Sequence, residues 1–382
     1  MLIVRVFVAA AKPALVGGAL SAAAVGGFFA VDKFHHDGPV SAFQQVQGHG
    51  QRLLISEFGD RSDTIVAVDP ADVSQRTTIA TIDHAEGFGV FPALSPDGKA
   101  IAYTALPSDL RKPAPDSPAL AAVVGVDGKA TVLADDIDLL VPPVWSPDSA
   151  SIVVRKNSPS DSGAGSFELL LLGRDGARTS ITTWTTAAVF PIAFAPDGSK
   201  LYFGTLNSGG SDLYSIAPDG SAETKIAHLS DQIARDWKLS PDGATLAYSA
   251  AESGATPSVV TKTLDLASGV AGDAVAASGA RTEFNPAWNS DGRLAIASLK
   301  PSGGGDAVSV GAAGDVRSLT TNTSSIDLPL GWSPDGGRLA VRAVSGSTAL
   351  DAGEGHVELV DGAGRRDRVS DDVDVLIVGW LR

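Results

Sequence analysis

One phrase governs this chain. A short apolar run, a tight Ser-Pro-Asp-Gly-like turn and a second apolar run recur six times from residue 91 onward. It reads FPALSPDGKAIAYTA at 91–105, VPPVWSPDSASIVVRK at 141–156 and FPIAFAPDGSKLYFGT at 190–205. It returns as DWKLSPDGATLAYSA at 236–250, FNPAWNSDGRLAIASL at 284–299 and LPLGWSPDGGRLAVRA at 328–343. The turn aspartates Asp97, Asp148, Asp197, Asp242, Asp291 and Asp335 are 51, 49, 45, 49 and 44 residues apart. A period of that size with strand-like content is the signature of β-propeller blades.

Each copy reads as strand, turn, strand. Proline fixes φ, the aspartate side chain bonds back to the turn, and glycine accepts a positive φ. The remainder of each period supplies two more strands, as in LAAVVGVDG (120–128) followed by ATVLA (130–134). The chain's first strands, at 52–58, 65–70 and 75–81, match strands two to four of a blade that lacks its first strand. The tail, 374–382, matches only a first strand. Joined, the two ends complete one blade and remove the open sheet edges that would invite aggregation. The expected fold is all-β, a seven-bladed β-propeller of four-stranded blades whose closing blade is shared by N- and C-terminal strands. It should occupy residues 51–382.

Ahead of it, residues 13–31 carry no charge and are about long enough to cross a bilayer as a helix. Arg5 and Lys12 precede that segment, which favours an N-in, C-out orientation. Residues 1–33 are therefore expected to be a membrane anchor or a signal segment cut near Ala22-Ala23-Ala24, with 34–50 as a tether. In either case the propeller lies outside the cytoplasm.

The phrase WSPDG followed by a strand resembles the TolB-type, WD-repeat-like propeller repeat over about residues 50–382. Similar blades occur in the propeller domains of prolyl-oligopeptidase and dipeptidyl-peptidase relatives and of the tricorn protease. The resemblance implies a propeller and a cell-envelope binding role. The α/β domain that precedes the propeller in TolB has no counterpart expected in the first 50 residues, which argues against a Tol–Pal role.

No motif announces catalysis. There are no cysteines, so thiolate metal sites and cysteine nucleophiles are excluded. No G-x-S-x-G elbow or H-E-x-x-H pair occurs. Of the histidines, only His84 is expected in a loop at the channel mouth; His228 and His356 fall on outer or starting strands. Trp145, Trp288 and Trp332 stand three residues before their turn aspartates, and Trp380 holds the same place in the tail. They read as side chains packed between blades, with a ligand stack as the alternative if their rings face the channel.

Net charge is −15, which disfavours nucleic acid. Acid gathers in the connections from strand four to the next strand one. The candidate partner-binding rim comprises Glu86, Asp136, Asp138, Asp236, Glu283, Asp327, Asp372 and Asp374, opposed in those connections by Arg235 and Arg281. Such a rim would favour a basic peptide or protein; Ca²⁺ would need several of these oxygens to converge. The expected function is a non-catalytic binding scaffold without a required cofactor. The alternative is a propeller hydrolase or lyase with a metal on the channel axis.

Overall fold

The computed structural model describes residues 41–158, 165–252, 258–275, 282–299, 305–310, 316–320, 325–346, 354–371 and 375–382. The segment expected to be a membrane anchor or signal lies outside them. Among the described residues no helix is long and apolar enough to cross a membrane.

The strands follow the repeat. The chain opens with β1 (Arg52–Glu57), β2 (Ser62–Val68) and β3 (Arg76–Asp83). The first full blade is β4 (Phe91–Leu94), β5 (Ala100–Ala105), β6 (Ala119–Gly125) and β7 (Ala130–Ile137). The next is β8 (Val144–Trp145), β9 (Ser151–Ser158), β10 (Ser166–Gly173) and β11 (Arg178–Trp184). Then come β12 (Ala188–Phe194), β13 (Leu201–Asn207), β14 (Gly210–Ile216) and β15 (Thr224–Ser230). A further blade holds β16 (Ala234–Leu239), β17 (Thr245–Glu252), β18 (Ser258–Asp265) and β19 (Val270–Asp273). The series continues with β20 (Thr282–Trp288), β21 (Leu294–Leu299), β22 (Gly305–Val310) and β23 (Val316–Ser318). After these stand β24 (Ile326–Trp332), β25 (Arg338–Val344), β26 (Gly355–Asp361) and β27 (Arg366–Ser370). The tail strand β28 (Val375–Leu381) pairs antiparallel with β1, from Arg52 opposite Leu381 to Glu57 opposite Val375. The shared closing blade is thus present, in the order β28-β1-β2-β3.

The expectation of seven separate four-stranded blades needs correction. Among the described residues five sheets are discrete and four-stranded, and β20–β27 form one eight-stranded sheet. The fusion has a local cause: Gly305 at the start of β22 meets Ile326 at the start of β24 in a single parallel bridge, with the Gly305 N–H donating to the Ser325 carbonyl at 3.3 Å.

The turns explain why the phrase recurs. In the first, Ser95 donates to Asp97 at 2.6 Å and accepts from the Ala100 N–H at 2.9 Å, while Gly98 takes φ +69°. The Ser146–Asp148, Ser240–Asp242 and Ser333–Asp335 pairs repeat the same 2.6 Å bond. Where Ala195 replaces the serine, Ser199 donates to Asp197 instead, at 2.8 Å. Where Asn289 replaces it, its Oδ1 accepts from the Arg293 N–H at 2.7 Å.

The core lies between neighbouring blades, because a four-stranded sheet exposes two faces and both must be covered. Alternate residues of β1 therefore serve different partners. Leu54 packs with Ile101 and Tyr103 of the first full blade, while Leu53 and Ile55 pack with Val357 and Leu359 on the other side. The last part of the expected tether is ordered on this core. A short helix, α1 (Ala42–Val46), is capped by Ser41, which accepts from the Gln44 N–H at 3.1 Å. It buries Phe43 and Val46, and Gln47 donates to the Gly98 carbonyl at 2.7 Å.

Candidate functional site

Each innermost strand ends in its Ser-Pro-Asp-Gly-like turn, so these turns gather at one end of the ring. The strand-four connections gather at the other. At the turn end, inner-strand termini and turns enclose a cavity of about 580 Å³. Leu94, Trp288, Trp332, Gly379 and Trp380 line it, with Gln47 and Gly48 approaching from the segment after α1.

The tryptophans link successive repeats, and three of them also border this cavity. Trp145 donates from Nε1 to the Ala93 carbonyl at 2.9 Å, Trp288 to Lys238 at 3.0 Å and Trp332 to Ala287 at 3.2 Å. Each bond runs to the inner strand of the preceding repeat, so the row does tie repeats together. Trp145 is buried and stays out of the cavity, whereas Trp288, Trp332 and Trp380 border it. Trp380 differs again: its buried Nε1 has no hydrogen-bond acceptor among the described residues.

At the opposite end most of the described acids stand beside cations, three of them beside cations from other strands. Glu86 pairs with Arg61. Asp136 meets Lys156 and, at 3.0 Å, Arg178. Burial pushes the Asp136 carboxyl up, but those two cations outweigh it and hold it below the usual range. Asp138 accepts from Arg155 Nε at 3.0 Å and from the Leu140 N–H at 2.9 Å. Arg155 also lies over the Phe190 ring, 4.6 Å from its centroid. Asp236 stands 3.6 Å from Arg235 Nε, and Glu283 is buried. Asp327, fully buried, receives both terminal nitrogens of Arg366, at 3.0 and 2.7 Å. Asp372 and Asp374 lie outside the described residues.

His84 is not at the mouth. Its side chain is enclosed between Phe58, stacked at 5.9 Å, and Asp63, whose Oδ1 is 2.9 Å from Nε2. Asp63 also accepts from the Val90 N–H at 3.0 Å and from Ser56 at 3.3 Å. Burial pushes the His84 pKa down, but the bonds to Asp63 and the Ala85 carbonyl prevail and raise it. This network pins the loop after β3 to the closing blade. His228 bonds Asp212 at 2.7 Å and Asp231 at 3.0 Å, and His356 bonds Glu358 at 2.7 Å. Among the described residues no group of three His, Asp or Glu side chains is arranged to hold a metal.

Sequence reasoning passed over Lys238. It stands two residues before Ser240 on β16, where the other inner strands carry Ala93, Val144, Ala193, Ala287, Gly331 and Gly379. The signal was available: aligning the repeats on their turns leaves one lysine in a column of small residues.

No family model matches the chain. It is 32% identical over 143 residues to a TolB homologue of Chlorobium luteolum, a match covering 37% of this chain and 31% of that protein. The chain thus spans about a third of the length of the curated relative it matches. Among solved structures, a prolyl endopeptidase superposes with a TM-score of 0.58 at 14% identity, over 85% of this chain and 50% of that one. An oligogalacturonate lyase from Vibrio parahaemolyticus gives 0.55 at 14% identity, over 78% of this chain and 84% of the other. At such identities the structural likeness concerns the fold alone. The closing sheet and the repeated turns make the chain a β-propeller repeat protein, and 143 of its residues are similar to a TolB homologue.

Proposed function

We propose that the protein is a non-catalytic scaffold of the cell envelope that binds a protein or peptide on the axis of its propeller. The observation that carries this reading is the cavity at the turn end. It is concave, walled by tryptophan, leucine and glycine with serine, asparagine and Asp97 at its edge, and built on strand termini that include those of the closing blade. Aromatic anchors in a preformed recess are what peptide recognition uses. The similarity to TolB homologues and the uncharged segment at 13–31 support placement outside the cytoplasm, tethered N-in, C-out. The acidic end remains a second surface for a basic partner, but only through charge left over after internal pairing. Nothing among the described residues favours the metal-dependent alternative.

The proposal includes a ring of seven units. Two features support reading the eight-stranded sheet as two blades. A single bridge joins its halves, and a separate apolar cluster of Ala295, Ala307, Leu339, Val341 and Val360 lies between them as at other blade boundaries.

The test uses the full-length chain in its own membranes, with a photo-crosslinking residue at Ser290 on the mouth or at Thr179 on an outer strand. Discrete adducts from Ser290 and none from Thr179 are expected. Equal labelling at both positions, or none at Ser290, would refute a partner at the mouth. Protease protection of the propeller in intact spheroplasts would refute the outward orientation.

A further inference from the structure

We propose that Lys238 is a carboxylate-binding residue inside the channel, just behind the tryptophan-lined mouth, and that it receives a single carboxylate of the bound partner. The inference rests on the mouth being the docking site and adds the chemistry that would be recognised there.

Four observations converge on it. First, Lys238 is the only charged residue in an inner-strand column otherwise made of alanine, valine and glycine, so there is room beside it. Second, its backbone is fixed. Trp288, which borders the cavity, donates to the Lys238 carbonyl at 3.0 Å. That bond places the lysine immediately inside the mouth. Third, a β-bulge precedes it. Arg235 pairs with Ser249 and Lys238 with Ala247, so Asp236 and Trp237 are accommodated by an irregularity of the ladder. Asp236 takes φ 55°, and Asn285, at the equivalent place in β20, takes the same value. The same register shift recurs in β12, β20 and β24, so the repeat fixes this backbone geometry and the lysine is what is peculiar to β16.

Fourth, Lys238 as a residue is exposed, yet burial lowers its pKa, with Asp236 opposing. A group open to solvent but surrounded at longer range by protein combines these two properties, as a side chain in a channel would. Among the described residues no carboxylate stands within ion-pair distance of it.

The ligand's charge follows. One ammonium beside Asp236, in a protein of net charge −15, suits a monoanion and disfavours a phosphate dianion. A chain end or side-chain carboxylate on an otherwise neutral or basic peptide meets that requirement. Desolvation inside the channel strengthens the pairing relative to the surface.

The experiment uses full-length protein with ¹³C-dimethylated lysines. The Lys238 signal is identified by its loss in Lys238→Arg. Three probes are titrated: acetyl-trialanine as free acid, the same peptide as its amide, and amidated acetyl-Ala-Asp-Ala. The free acid should shift the Lys238 signal saturably, at least tenfold more tightly than the trialanine amide, and raise its titration midpoint. The aspartate peptide tells a side-chain carboxylate from a chain end. Tryptophan fluorescence should show the preference kept in Lys238→Arg and lost in Lys238→Met. Equal response to acid and amide, silence to all three, or a preference that survives in Lys238→Met would overturn the assignment. Adducts at Ser290 without carboxylate preference would leave the docking site standing and remove the carboxylate. The converse result would remove the docking partner alone.

Discussion

Gly379→Ala is the sharpest test of how the ring closes. Gly379 lies in β28 with φ +155°, and a Cβ built on it would stand 2.8 Å from Leu94 Cβ and 3.0 Å from Leu94 Cδ2. Leu94 belongs to the neighbouring blade, so the collision falls on the seam between the tail strand and the first full blade. Overpacking of this kind costs about 1–3 kcal/mol. A further ~1 kcal/mol comes from holding alanine at a φ that L-residues avoid. The sum, about 2–4 kcal/mol, corresponds to a fall of roughly 3–6 °C in the midpoint of thermal unfolding for a chain of this size. Gly331→Ala is the internal control. It occupies the same column one repeat earlier, and nothing lies within 4 Å of its added Cβ. Differential scanning calorimetry should show Gly331→Ala close to wild type. Adding Leu94→Ala to Gly379→Ala should recover part of the loss, with a coupling of about 1 kcal/mol or more. If both glycine variants melt alike, or if the Leu94 and Gly379 changes simply add, the tail strand does not seat as described.

Three other expectations follow from the same geometry. Trp332→Phe removes a 3.2 Å bond and strands the Ala287 carbonyl, so it should cost about 1–2 kcal/mol more in denaturant unfolding than Trp380→Phe, whose indole nitrogen has no acceptor to lose. Asp327→Asn removes the fully buried carboxylate of Arg366 but leaves it Glu358, so it should destabilise the chain by about 1–3 kcal/mol, less than Asp327→Asn combined with Glu358→Gln, as denaturant unfolding would show. His84 has a raised folded pKa, so its contribution is complete below its unfolded value of ~6.5 and fades as pH climbs through the folded value. Thermal midpoints should therefore decline across that window in wild type and flatten in His84→Asn; an unchanged slope would refute the role given to Asp63.

The repeat made most of the fold legible. Turn residues specify local geometry whatever surrounds them, and Ser95 with Asp97 does in the structure what the dipeptide implies. The shared blade was legible for a related reason: an unmatched β28 at one end and an unmatched β1–β3 at the other have one economical pairing. The merging of β22 with β24 was not legible. It depends on Gly305 and Ile326 coming level across a boundary, and backbone proximity between repeats has no residue code. The ordering of α1 was missed because five residues with two apolar side chains carry too little periodicity to stand out from a tether.

The site was less legible because charge was counted along the sequence, whereas pairing acts across strands. Within the strand-four connections the acids outnumber the bases. Their partners Lys156, Arg155, Arg178 and Arg366 lie on other strands, brought alongside only by the sheets. Counting residues within loops therefore overstates the field of any propeller rim whose strands carry cations near their ends. The same reasoning works in reverse for Lys238. A single lysine is unremarkable in a composition table, but the repeat sets it against six neutral residues at one height on the axis. In a cyclic fold the informative quantity is the departure of one repeat from the rest, because symmetry fixes what each position faces. That departure sets one exposed lysine, with Asp236 as its charged neighbour, on the strand whose Lys238 carbonyl accepts from Trp288, and so makes Lys238 the position at which a ligand's charge is tested.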